Sequence, residues 1–320
     1  MKVLILTTSY PTRVGEPAGH FVETEARALT AAGHDVTVVA PGPPGEVVRH
    51  GVRMQFIHGG GAFGAPGVVA RLRQRPTRAL AVLRFLRAAR DAIERRGSLD
   101  RIIVHFLVPS LLSLPRRSSA QIEAVGHGSD VRLLVSAPRA LARRFIAAQL
   151  ARGVRFRFVS EQLRREAATV HPELARAVVA PPPVDVSGVP GRAAARLGHG
   201  VARDTRLVVV VGRLIPSKRV DVALCAATLI PGARVVCIGD GPERAGLEKR
   251  FGSVGFLGQL LRPEALAWIA ASDLLVSASR LEGAPTVVRE ARALGVPVVA
   301  ARAGDLDAWA ERDRGIWVTP

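Results

Sequence analysis

The chain of 320 residues has only two cysteines, two methionines, one tyrosine and three lysines, and aromatic residues make up 4% of it. Each scarcity excludes something. Cys225 and Cys237 match no metal or redox spacing and read as buried, reduced thiols on a helix and a strand, so no disulfide framework is expected. With few rings to stack on bases and no recognisable nucleic-acid motif, nucleic acid is not an expected partner. No apolar run approaches the roughly 18 residues that a membrane-spanning helix needs. Met1-Lys2 leads directly into VLILTT without a cleavage site or arginine-rich presequence, which points to a cytoplasmic protein. What is abundant is apolar material, at 48% of residues. That suffices for two domains of ordinary size and excludes a disordered or fibrous chain.

Charge of one sign also dominates. The formal net charge is +18, divided as +13 over residues 1–186 and +5 over residues 187–320, and 42 of the 45 basic residues are arginine. Residues 71–96 place Leu80, Leu83, Leu86 and Ile93 near one helical face with arginines around them. Two readings are open: a core-packed helix with a solvated basic rim, or a peripheral contact with an anionic membrane surface. The glycine-rich GGGAFGAPG at 59–67 opens no helix and reads as a flexible loop rather than a phosphate cradle.

Strand and helix patterns alternate along the chain. VLILTTSYP, GHFVETEARALTAAG and DVTVVAP form an opening βαβ unit with a loop at residues 9–20, and RIIVHF, QIEAVGH, VRFRFVS and ARAVVAPP continue as short apolar strands of a parallel sheet. Residues 1–186 are read as one Rossmann-like domain. SGVPGRAAARLGHGVARD, residues 187–204, is small, polar and broken by Gly and Pro, and reads as a linker. The rhythm restarts in residues 205–320 with RLVVVVG, ARVVCIG and SVGFLG. The fold class is α/β, with two doubly wound domains facing across a cleft.

The densest chemistry lies in residues 274–300, LLVSASRLEGAPTVVREARALGVPVVA. It reads as a strand, a loop with Glu282 and Gly283, a helix begun at Pro285, and a second strand. Proline suits a first helical turn because its missing N–H would be unpaired there, and the free amides of that turn favour an anion. Glu290 follows roughly 7.5 Å along the helix axis, so both carboxylates can border one pocket. Gly239 and Gly241 let the strand end of VCIGDGPE turn sharply. Arg213 and Lys218, on the loop after LVVVVG, place a guanidinium fork and an ammonium at a strand end, where both can face an anion.

VGRLIPSKRVD (211–221), VCIGDGPE (236–243), VGFLG (254–258) and EGAPTVVRE, with seven residues between its two glutamates, resemble the retaining glycosyltransferases of family 4, also called glycosyl transferases group 1, which have the GT-B fold. The first half is similar through TTSYP, GHFVETEARAL, HFLVPS, HGSD and VSEQL. The resemblance implies transfer of a hexose-type sugar from a nucleoside diphosphate donor, with retention, to an acceptor that is lipid-linked or part of the cell envelope. A protein that binds nucleotide sugar or a membrane surface without turnover is the alternative.

The same resemblance assigns Arg213 and Lys218 to the diphosphate, Glu290 to the ribose hydroxyls, and Glu282 to the donor sugar. It adds Gly19, Gly212, Gly239, Gly241, Leu257, Gly283, Ala284, Pro285 and Thr286 to the donor site. It also has His127 of HGSD reach the sugar from the first domain, with Asp130 and His105 as weaker candidates. No metal and no bound cofactor are implied, and the D-x-D of Asp305 and Asp307 reads as coincidence. PPPVD at 181–185 stands where the family has Pro-Asn-Gly-Val-Asp, and the chain ends at GIWVTP before the helices with which family members usually finish.

Overall fold

The computed structural model describes residues 1–64 and 67–319; Ala65 and Pro66 of the glycine-rich loop, and Pro320, lie outside the described residues. The chain forms two compact units, Met1–Pro183 and Val184–Pro320.

In chain order the first unit contains β1 (Lys2–Leu6), α1 (His20–Ala31), β2 (Asp35–Pro41), β3 (Gly45–Arg49), β4 (Val52–Ile57), α2 (Val68–Gln74), α3 (Arg78–Arg95), β5 (Arg101–His105), α4 (Leu107–Ser110), β6 (Gln121–Gly126), α5 (Ser129–Ser136), α6 (Arg139–Ala151), β7 (Arg155–Phe158), α7 (Glu161–Ala168) and β8 (Val178–Val179). Its sheet runs β3-β4-β2-β1-β5-β6-β7-β8, parallel throughout except that β3 is antiparallel to β4. The central strands are continuous apolar runs because helices cover both faces, so Leu4, Ile5, Leu6, Ile102, Ile103 and Val104 are fully buried. Helix α1 stops at Gly33, whose φ of 82° permits the amides of Gly33 and His34 to reach the carbonyls of Thr30 and Leu29.

Two features of this unit depart from the sequence reading. The hairpin β3–β4 turns at His50 and Gly51, both with positive φ, a two-residue turn whose signal is weaker than Asn-Gly. The basic segment 71–96 is two helices, and the buried stripe of α3 is Val82, Phe85, Leu86, Ala89, Ala92 and Ile93. Leu80 and Leu83, placed on that face from the sequence, are 54% and 55% exposed.

The second unit contains α8 (Arg192–Gly198), β9 (Arg206–Val211), α9 (Val220–Thr228), β10 (Ala233–Ile238), α10 (Arg244–Arg250), β11 (Gly255–Gly258), α11 (Arg262–Ala271), β12 (Leu274–Ser277), α12 (Thr286–Ala293), β13 (Val298–Ala301), α13 (Leu306–Ala310) and β14 (Ile316–Thr319). All strand pairs are parallel, in the order β11-β10-β9-β12-β13-β14. Residues 187–204 are not a linker. Helix α8 packs on α11, and Ala195 and Val201 belong to the apolar core of this unit. The buried Arg196 fastens it, with Nη1 donating to the Ala271 carbonyl at 2.9 Å and to Asp273 Oδ2 at 3.3 Å. Cys237 is buried, and burial pushes its thiol up to about 12, whereas Cys225 is exposed and not the buried thiol the sequence suggested.

Strand order fixes where ligands bind in such sheets. Connections diverge to opposite sides between β1 and β5 in the first sheet and between β9 and β12 in the second, and a crevice opens outside the carboxyl ends of those strands.

Candidate functional site

The loops after β9 and β12 meet at the switch point of the second sheet. After β9 the chain passes Gly212, an exposed Arg213 and a 3-10 turn, Pro216–Lys218; the left-handed Arg219, with φ 47°, then turns it into α9. Lys218 therefore sits on a short helical turn tied to the β12 loop, since the Arg280 amide donates to the Ser217 carbonyl at 2.9 Å. Its Nζ lies 2.6 Å from Glu282 Oε1, with both side chains mostly buried. The two residues assigned from the sequence to diphosphate and sugar hold each other, and with Gly212, Ser277, Ser279 and Val287 they line one small pocket. Arg213 does not line it.

Glycines Gly239 and Gly241 have a reason of their own. A Cβ on Gly239 would lie 1.8 Å from the Gly212 carbonyl oxygen, and one on Gly241 would lie 2.3 Å from that of Leu214. The amides of Gly212 and Leu214 donate back to the carbonyls of Ile238 and Asp240, each at 2.9 Å. The G-x-G is thus required for two strand-end loops to lie backbone on backbone, whatever they bind.

Helix α12 begins at Thr286, one residue after the expected start, with Pro285 at the N-cap and no side chain capping its first turn. That is the condition in which backbone amides receive an anion. Gly283 and Pro285 are buried, Ala284 and Thr286 half-buried, and Leu257 lies on β11, two strands from β9. Glu290 is 6% exposed, and its Oε1 accepts from Arg262 Nε at 3.1 Å and Nη2 at 2.8 Å. The sequence reading missed Arg262, which stands at the start of a helix and shows no motif of its own.

In the first unit the site residues surround the end of β5. His127 follows β6, and its Nε2 is 2.9 Å from Nδ1 of the fully buried His105. Its ring packs against Phe21 and Phe106, with centroids 4.9 and 4.7 Å away. Burial, aided by the charge of Arg157, pushes the His127 imidazole down to about 3, and burial holds His105 well below its usual value, so both rings are neutral. Each such ring has one N–H and one lone pair, and one ring donates to the other. The His127 ring is half-buried, and its other nitrogen, Nδ1, takes no part in that contact.

Asp130 is structural. Oδ1 accepts the amides of His127 and Gly128 at 3.0 and 2.9 Å, and Oδ2 accepts that of Leu107 at 2.8 Å. It clasps the two strand-end loops that carry the histidine pair, and between them Phe106 has a φ of 67°, a strained conformation for a non-glycine residue. Behind His105 lies Glu25, whose Oε2 is 3.8 Å from His105 Nε2 and whose Oε1 pairs with Arg157. Burial pushes this carboxyl above the usual range against the pull of Arg157.

Gly19 is buried with φ 76°, and a Cβ there would strike the backbone of Ser9 and Tyr10. It lets the loop before α1 close on the loop after β1. Of the D-x-D aspartates, Asp305 is half-buried at the N-cap of α13, and the exposed Asp307 pairs with Arg302. Among the described residues no cluster of three or more His, Cys, Asp or Glu is placed to hold a metal ion, and no helix is long and apolar enough to cross a membrane.

Two doubly wound units, each with polar side chains gathered at its switch point, have the make-up of the GT-B fold. The family model Glycosyltransferase Family 4 matches residues 18–187, and Glycosyl transferases group 1 matches residues 205–320. The chain belongs to glycosyltransferase family 4. It is 28% identical to TuaC of Bacillus subtilis (strain 168), a glycosyltransferase whose name assigns it provisionally to teichuronic acid biosynthesis, over 100% of this chain and 86% of TuaC. Among solved structures it is similar to sucrose-phosphate synthase from Thermosynechococcus elongatus, with a TM-score of 0.76 at 20% identity over 100% of this chain and 86% of that one. It is also similar to Anabaena HepE in complex with UDP, with a TM-score of 0.67 at 18% identity over 100% and 85% of the two chains.

Proposed function

We propose that the protein moves a hexose-type sugar from a nucleoside diphosphate donor to an acceptor hydroxyl, with retention of anomeric configuration. The observation that carries this is the Lys218–Glu282 pair, 2.6 Å apart beside the uncapped start of α12 at the second switch point. An ammonium and a helix N-terminus attract the diphosphate, and a carboxylate freed from the ammonium accepts hydrogen bonds from sugar hydroxyls. Donor binding exchanges one pairing for two.

In the reaction the bond from the anomeric carbon to the β-phosphate oxygen breaks, the acceptor oxygen bonds to the same face, and the acceptor proton passes to the departing phosphate. Lys218 and Arg213 stabilise the charge that develops on that phosphate, Glu290 holds the ribose, and His127 meets a sugar hydroxyl through Nδ1. The donor-site backbone includes Gly19, Gly212, Gly239, Gly241, Leu257, Gly283, Ala284, Pro285 and Thr286. Glu282 and Glu290 act by positioning and not as the acid–base pair of a glycoside hydrolase.

The reaction needs neither metal nor bound cofactor. The acceptor is a lipid-linked or cell-envelope glycan, a reading supported by the likeness to TuaC and by the arginines flanking exposed Leu80 and Leu83 on α3. The protein then works in the cytoplasm at the inner face of the membrane.

Incubation with UDP-, GDP- and ADP-sugars, followed by product analysis and NMR assignment of the new linkage, tests the reading. One donor is consumed with retention and without added metal in wild type; transfer that survives unchanged in Glu282→Ala and Lys218→Ala contradicts the site. Donor binding without turnover under all conditions contradicts the activity. Binding to anionic vesicles that weakens with salt supports the membrane location, and binding indifferent to salt opposes it.

A further inference from the structure

We propose that Arg262 is a positioning residue that sets how strongly the site distinguishes a ribonucleotide from one lacking ribose hydroxyls; this rests on the reading of Glu290 as the ribose-binding carboxylate. Glu290 is 6% exposed on α12, where an ionised carboxylate needs a partner to compensate for its lost hydration. Arg262 supplies it from the first residue of α11. Two N–H groups of its planar guanidinium, Nε at 3.1 Å and Nη2 at 2.8 Å, converge on the same oxygen, Oε1. Two donors on one oxygen hold Oε1 in place more firmly than a single hydrogen bond from an ammonium would, and leave the second oxygen, Oε2, outside this pairing.

Arg262 is itself held in place. The Nη2 that donates to Glu290 also donates to the Asp185 carbonyl at 2.6 Å. Asp185 lies two residues after Pro183, the last residue of the first unit, so one guanidinium fastens the carboxylate to the first residues of the second unit. The arrangement also has an electrostatic consequence. A bare carboxylate would repel an approaching diphosphate, whereas a carboxylate paired with a guanidinium presents acceptor oxygens with little net charge. Arg262 thereby lets Glu290 accept hydroxyl hydrogens beside an anion. Arg262 itself, turned onto Glu290 and Asp185, acts through the glutamate.

Calorimetric binding of ADP, GDP and UDP, each against its 2′,3′-dideoxy form, tests this in wild type, Arg262→Ala, Arg262→Lys, Glu290→Ala and the Arg262→Ala/Glu290→Ala double variant. Wild type is expected to bind one ribonucleotide about 10- to 100-fold more tightly than its dideoxy form, the size of one or two hydrogen bonds to a charged group. Glu290→Ala abolishes the preference. Arg262→Ala reduces it at least several-fold, because it weakens the ribonucleotide more than the dideoxy form, Arg262→Lys retains part of it, and the double variant is no worse than Glu290→Ala.

A cooperative thermal unfolding transition close to that of wild type reports that the variant is folded; should Arg262→Ala be unfolded, the comparison of Arg262→Lys with wild type decides alone. A preference that survives Arg262→Ala intact, or equal loss of both affinities in a folded variant, overturns the role of Arg262. A wild type without preference, or a preference that survives Glu290→Ala, overturns the assignment of Glu290, and the role of Arg262 falls with it.

Discussion

The two units place different chemistry at equivalent points of similar sheets. At the second switch point charged side chains are paired with one another: Lys218 with Glu282, and Arg262 with Glu290. At the first, two neutral histidines packed among phenylalanines lie at the strand ends beside the Asp130 carboxyl, which is spent on three backbone amides, with the charges of Glu25 and Arg157 set behind them. A charged pair can exchange one partner for a charged ligand, because the ligand's charge replaces the one lost and neither side chain is left as an uncompensated buried charge. A buried neutral pair cannot adapt in that way; it offers a fixed hydrogen-bonding atom. In the proposed function the second unit handles the phosphates, and the first contributes direction without charge.

The largest expected effect breaks the charged side of this contrast. Lys218→Ala is predicted to lower kcat/KM for sugar transfer by about 10²- to 10³-fold, the scale on which removing one preorganised charge acts on a transition state. Steady-state kinetics with the preferred donor measure it, and a loss below about threefold would remove Lys218 from the site. Next comes the scaffold of the second unit. Gly239→Ala forces a Cβ toward the Gly212 carbonyl at a φ of 139°, and should destabilise that unit by about 2–4 kcal/mol in denaturant unfolding, the range for overpacking added to backbone strain. An unfolding midpoint equal to wild type would mean that the two loops are not in backbone contact.

The smallest effect sharpens the neutral side. The folded-state pKa of His127, about 3, lies below the roughly 6.5 of an unfolded histidine, so between those values the unfolded chain binds the proton and the folded one does not. Its contribution to stability is complete above about pH 6.5 and is lost as pH falls through that window. His127→Asn should therefore lose stability less steeply than wild type between pH 6 and pH 4, by at most about 1.4 kcal/mol per pH unit. Glu25 and Asp130, whose raised carboxyl pKas act with the opposite sign, are common to both proteins and cancel in the difference. Parallel pH profiles would mean that His127 is protonated normally in the folded state.

Much of this architecture was legible in the residues because parallel strands covered on both faces are unbroken apolar runs, as in RLVVVV and RIIVH. That Lys218 and EGAPTVVRE both follow strand ends was legible too, since both flank such runs, whereas the contact between Lys218 and Glu282 was not. What escaped depends on partners distant in sequence. Residues 187–204 look like a linker until Arg196 meets Asp273 and the Ala271 carbonyl, more than 70 residues away. Leu80 and Leu83 share a helical spacing with Leu86, yet the buried face is centred on Phe85, which only the sheet beneath it decides. Nor do the residues show that Gly19 and Gly239, which the resemblance places at the donor site, also lie backbone on backbone against other loops of their own units. Arg262 gave no signal at all, because its meaning comes from Glu290, 28 residues on.

The contrast between a charged unit and a neutral one is tested most directly by calorimetric affinity for ADP, GDP and UDP, without sugar, in wild type, Lys218→Ala and His127→Asn. The account predicts that Lys218→Ala weakens the best-bound diphosphate by about tenfold or more, while His127→Asn leaves it within about twofold of wild type. A diphosphate affinity that falls in His127→Asn and stays constant in Lys218→Ala would contradict it.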